Sequence, residues 1–155
     1  MRLKRAAFRH IEAEISEYRN TLAHLEVLRR DIIESSKNQE LGMPAAATLG
    51  VSGVERRATR LADSLLLREM ERITEAIRAT YSVANEQCRQ VVWIRYGLTL
   101  EGWYPPRQWE KAAAGRAGLG MPVEEMCKVL SVDEATYHRY RSGFVYDIAG
   151  RLGWY

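Results

Sequence analysis

Apolar residues recur at Phe8, Ile11, Ile15, Tyr18, Leu22, Leu25 and Ile32, a 3-4-3-4 spacing whose one skipped seat is Arg29. That period predicts a helix with a narrow apolar stripe, because the Glu and Arg residues between the seats leave its other faces polar. A stripe of this kind needs a cover, either another helix of the same chain or a second copy in a coiled coil. The pattern dissolves over residues 37–53, where Gly42, Pro44, Gly50 and Gly53 predict a linker. A second helix follows, with Leu61, Leu65, Leu66, Met70, Ile73, Ile77 and Tyr81 at helical spacing. Two long helices joined this way predict an antiparallel hairpin.

A shorter helix is expected from the N-cap Asn85 through Cys88, Val91, Val92 and Tyr96, ending at Gly97 in the C′ position. In residues 98–120, Pro105-Pro106 interrupts helix at Tyr104, and residues 108–114 have the makings of a short helix. Trp103, Tyr104 and Trp109 suit covering a hydrophobic edge better than stacking on bases. Gly115, Gly118 and Gly120 lack the spacing and the preceding strand of a phosphate loop.

Val123, Met126, Cys127 and Leu130 then follow i, i+3, i+4, i+7, with Pro122 suited to the first turn. Ser131-Val132-Asp133 breaks that helix, and Tyr137, Tyr140, Phe144, Ile148 and Leu152 begin another stripe at once. Two helices around a three-residue turn, with small Cys127 at their crossing and Val132 plugging the turn, predict a helix-turn-helix. The fold expected is therefore all-α: residues 1–82 form the hairpin and oligomerise, with the linker at 37–53. Residues 83–155 form a helix-turn-helix DNA-binding domain carrying the insertion 98–120. On its recognition helix, subtracting the apolar stripe leaves Thr136, His138, Arg139, Arg141 and Ser142 as the candidate DNA-binding residues. The arginines suit guanine edges or phosphates, and the hydroxyls suit phosphate or base edges. Asp133 and Glu134 oppose phosphate approach, although capping explains both: Asp133 as N-cap, or Ser131 with Glu134 as a capping box.

Composition changes this picture little. The 155 residues are 46% hydrophobic and 28% charged, an ordinary globular balance. Net charge is only +3, and counting along the chain gives 8 basic against 7 acidic residues in 1–40, 6 against 5 in 41–80, and 9 against 8 in 81–155. No segment is a basic domain, so DNA binding has to rest on local geometry. The longest apolar run, Val91-Val92-Trp93-Ile94, is far too short to cross a bilayer, so no membrane partner is expected. Arg2, Lys4, Arg5 and Arg9 are followed by Glu12, Glu14 and Glu17 in place of an apolar leader core, which predicts a cytoplasmic protein. Cys88 and Cys127 read as small buried hydrophobes in a reducing compartment. Scattered His10, His24 and His138 offer no metal or catalytic motif, and His10 with Glu14 reads as a surface pair. Neither an enzyme activity nor a cofactor is expected.

The start MRLKRAAFRHIEAE, the segment Asp31-Ile-Ile-Glu-Ser-Ser36, Ala58-Thr-Arg-Leu61 and Trp93-Ile-Arg-Tyr96 together resemble the RinA-type phage late transcription regulators, a group close to the ArpU-like regulators. The resemblance covers residues 1–97 and 121–153. It implies a DNA-binding activator of late packaging and structural genes, encoded by a phage or prophage in a bacterial host, with a C-terminal helix-turn-helix resembling region 4 of sigma factors. The family's Thr-aromatic-x-Arg-aromatic-Arg run falls on Thr136, Tyr137, Arg139, Tyr140 and Arg141. The chain departs from the pattern at Glu134 and Ala135, where the family carries arginines, and in the insertion 98–120. The partners implied are double-stranded DNA, a second copy of the chain and RNA polymerase. Two alternatives stand beside this: a terminase small subunit, and a helical adaptor that binds RNA polymerase without DNA.

Overall fold

The computed structural model describes residues 2–40 and 53–155. Among them the chain is all-helical: α1 (Arg5–Ser16), α2 (Tyr18–Glu40), α3 (Gly53–Val83), α4 (Glu86–Tyr96), α5 (Arg107–Ala113), α6 (Val123–Leu130) and α7 (Glu134–Leu152), with no strand. None of these helices is long and apolar enough to cross a membrane. Two expected boundaries move. The stripe read as one helix from Phe8 to Ile32 is divided at Glu17, and helix continues through residues 37–40 of the expected linker. The remainder of that linker, residues 41–52, lies outside the described residues.

The chain divides into two compact units, Arg19–Thr74 and the combination of Met1–Tyr18 with Glu75–Tyr155. The boundary expected at residue 82 is thereby redrawn, because α1 and the last turns of α3 belong with the C-terminal helices. Burial gives the reason. Ile11, Ile15 and Tyr18, read as seats for a hairpin or coiled-coil partner, are buried within this larger unit, as are Ile77 and Tyr81.

Local signals explain most of its elements. Asn85 caps α4, its Oδ1 accepting the Cys88 N–H at 2.9 Å, and Gly97 ends the helix at φ +69° with its N–H donating to Trp93 O at 2.7 Å. In this unit α7 packs against α1, α4 and α6, and α6 also packs against α4 and α5. One core joins Val91, Ile94, Met126, Cys127, Leu130 and Tyr137, and the segment 98–120 contributes Ala113 to it directly while Trp103 and Trp109 pack on its edge. This segment is part of the fold, its tryptophans covering apolar surface. Trp103 also donates its indole N–H to the Glu86 carboxylate at 2.9 and 3.0 Å, satisfying the polar edge of a half-buried ring.

Gly118 fixes where the segment 98–120 docks. Its N–H donates to Ile94 O at 3.0 Å, one of the carbonyls left open at the end of α4. Its φ is +77°, and a Cβ there would stand 2.7 Å from both N and Cα of Gly97. Gly118→Ala therefore adds left-handed strain to a backbone collision, and chemical denaturation should register a loss of roughly 2–3 kcal/mol.

The unit Arg19–Thr74 is built differently. Arg29 on α2 meets Glu71 on α3 with Nη2 at 2.8 Å, an exposed pair worth about 1 kcal/mol at most. Among its described residues the buried apolar side chains are Leu25 and Ile73, while Leu22, Val27, Ile33, Val54, Leu61, Leu65 and Leu66 are exposed.

Candidate nucleic-acid interface

The helices α6 and α7 are held by a turn of three residues. Ser131 takes the left-handed conformation at φ 55°, ψ 43°, and Val132 N–H returns to Cys127 O at 3.1 Å, closing the end of α6. Asp133 then stands at the N-cap position of α7 in extended backbone, with no side-chain cap hydrogen bond, and Ser131 closes the preceding helix in place of forming a capping box. The Thr136 hydroxyl beside Asp133 holds that carboxyl below its ordinary value. Between the helices Tyr137 is fully buried, and its hydroxyl points at the Met126 sulfur 3.8 Å away. Small, buried Cys127 and half-buried Val132 complete the crossing.

The five residues read as DNA-binding separate into two groups. His138 and Arg139 are exposed, and Thr136 and Ser142 are half-exposed on the same side of α7. His138 lies edge-on to the Tyr137 ring at 5.1 Å, and the Arg139 guanidinium sits 5.4 Å over the Tyr140 ring. These contacts limit rotamers while leaving polar atoms outward.

Arg141 belongs elsewhere. It points toward α1, where Nε donates to Glu12 Oε1 at 2.7 Å and Nη2 to Oε2 at 2.9 Å, a bidentate pair. The side chains are 20% and 14% exposed respectively, so this ion pair is internal. Tyr96 adds its hydroxyl to Glu12 Oε1 at 2.6 Å, and the Phe8 ring lies 5.6 Å from the Arg141 guanidinium. The expectation that Arg141 reaches base edges or phosphates is corrected accordingly, since the fork that would grip a guanine is occupied by a carboxylate.

Helical arithmetic contained the signal. Arg141 is i+4 from Tyr137, i−3 from Phe144 and i−7 from Ile148, which puts it on the buried stripe. An arginine there requires an internal anion. Glu12, adjacent to buried Ile11 and i−3 from Ile15, is that anion, but nothing in the sequence links positions 129 apart. Glu12, Tyr96 and Arg95 are the participants that sequence reading missed.

The electrostatics of this cluster are consistent with its geometry. Burial raises the Glu12 carboxyl, but hydrogen bonds from Arg141 and Tyr96 with the charges of Arg141 and Arg95 outweigh it and hold the group below its ordinary value. Glu12's hydrogen bonds, with its charge, push Arg141 up. Burial, then Glu12, raises the Tyr96 hydroxyl. Cys88 and Cys127 are free and buried, and desolvation pushes the Cys88 thiol to about 11, leaving it unreactive at neutral pH. Compared with known proteins, the chain matches no family model, no curated protein and no solved structure.

Proposed function

We propose that this chain is a dimeric transcriptional regulator of phage type that binds promoter DNA through α6, the turn and the outward face of α7. The observation that carries the reading is the three-residue turn itself. Its left-handed Ser131, the Val132 return to Cys127 and the buried Tyr137 bring α7 directly after α6 as a helix-turn-helix requires, with Thr136, His138, Arg139 and Ser142 away from the buried stripe. The resemblance to RinA-type regulators agrees with it, and the activation of late genes and the recruitment of RNA polymerase rest on that resemblance alone. On α7 the reading set becomes Thr136, His138, Arg139 and Ser142, with Arg139 the single arginine turned outward over the helix's first three turns.

One arginine contact contributes about 1–3 kcal/mol of discrimination, too little for a promoter on its own. A second linked module supplies the remainder by effective concentration. The surface suited to linking two copies is on α3, where Val54, Ala58, Leu61 and Leu65 follow a 4-3-4 seam and are exposed. Leu61→Glu with Leu65→Glu should convert a dimer to a monomer in light scattering, with helicity retained. A ring-sized mass for the wild type would transfer the reading to a terminase small subunit. Arg139→Ala should weaken binding to DNA selected by the wild type at least tenfold, with fluorescence anisotropy as the readout.

A second reading has its own support. Exposed Asp133 and Glu134 stand at the end of α7 that would meet phosphates, and Arg141 is withdrawn into the fold. An adaptor that binds RNA polymerase without DNA accommodates both facts, and its mark is the absence of any salt-dependent DNA complex.

A further inference from the structure

We infer that the cavity between α1, α4 and residues 118–121 is a binding site for a small monoanionic carboxylate. The cavity holds about 330 Å³, within the range of small-molecule sites, and its lining includes Glu12, Ser16, Arg95, Tyr96, Met121 and Met126. Met121 and Met126 close the cavity from beneath as buried side chains, and Arg95 and Ser16 supply donors at its largely polar lining.

The sign of the ligand follows from the charge count. Two guanidinium groups, Arg95 and Arg141, face one carboxylate. Arg141 engages both oxygens of Glu12, and Tyr96 takes a further lone pair of Oε1. Arg95 Nη2 stops 3.9 Å from that same oxygen, beyond hydrogen-bond reach, with its side chain 31% exposed. The group therefore carries one net positive charge centred on Arg95. A guanidinium fork grips a carboxylate in two parallel bonds, so a monoanionic carboxylate completes the charge balance where a cation would upset it. The wall opposite α1 is preformed, because Gly118 is fixed backbone to backbone on Gly97. This inference does not rest on the DNA reading.

Isothermal titration of the 155-residue chain tests it with three probes: benzoate, its neutral counterpart benzyl alcohol, and inorganic phosphate, whose second charge overshoots the single positive charge of the site. Saturable binding of benzoate is expected, at least tenfold tighter than either of the others and at least tenfold weaker in Arg95→Gln. Absence of saturable benzoate binding to the wild type overturns the site, as does unchanged benzoate affinity in a folded Arg95→Gln. Equal affinity for benzyl alcohol or for phosphate overturns the ligand class, and those two comparisons need only the wild type, so they hold even where the variant folds poorly.

Discussion

Glu12→Ala should lower the unfolding free energy by about 3–5 kcal/mol, measured by chemical denaturation at neutral pH. The alanine removes one carboxylate, leaving the Arg141 guanidinium without its counter-ion and the Tyr96 hydroxyl without its acceptor, both turned into the interface of α1, α4 and α7. An unpaired, mostly buried charge costs more than the pair contributes, since each ion has already lost much of its water. The same logic separates pairing from charge. Glu12→Leu combined with Arg141→Met and Tyr96→Phe removes all the polar members together and should recover most of the loss, because an apolar cluster of similar volume leaves nothing unsatisfied. A triple variant as unstable as Glu12→Ala alone would contradict this account of the cluster.

The pair also sets an acid dependence. Glu12 is held below its ordinary value of 4.5 in the folded chain, so the folded state favours the carboxylate. The stability it adds is complete above the unfolded value and is lost as pH falls through the lower folded value. The stability difference between wild type and Glu12→Gln should accordingly be constant at neutral pH and shrink below about 4.5.

Tyr137→Ala should cost about 3–5 kcal/mol and, with it, the fixed angle between α6 and α7. The ring is fully buried in the core shared by Met126, Cys127, Leu130 and Val91, and in so close-packed a core a neighbour such as Met126 recovers only part of its volume. Tyr137→Phe keeps that volume and gives up only the hydroxyl's contacts, to the Met126 sulfur and to Arg95, so a loss of about 1 kcal/mol is expected. In the functional reading the first variant loses DNA affinity through disorder of the turn and the second keeps it. Comparable DNA affinity in all three proteins would detach the turn geometry from function.

Local chemistry carried most of the legible fold. Asn85, Gly97, Pro105-Pro106 and the Ser131-Val132-Asp133 break each act on their own stretch of backbone, and each marks an observed boundary within a residue or so. The break at Glu17 was invisible because no proline or glycine marks it and the 3-4 spacing runs straight through. The seam itself was seen, but which part faces which partner depends on the remote elements that cover it. Ile11 and Ile15 are buried in their own unit, whereas Leu22 is exposed. Arg141 is the instructive failure at the candidate site. Its charge argued for solvent while its register argued for the core, and the core position is stable only because Glu12 arrives from α1.

Arg139 therefore carries the functional claim that was divided between two arginines. The most direct measurement is the affinity of wild type and Arg139→Ala for DNA selected from a random pool, followed by anisotropy across a range of salt. A specific wild-type complex that weakens steeply as salt rises is expected, with at least a tenfold loss in Arg139→Ala at unchanged helicity and mass. Selection that enriches no sequence, or equal affinity in the two proteins, would contradict it.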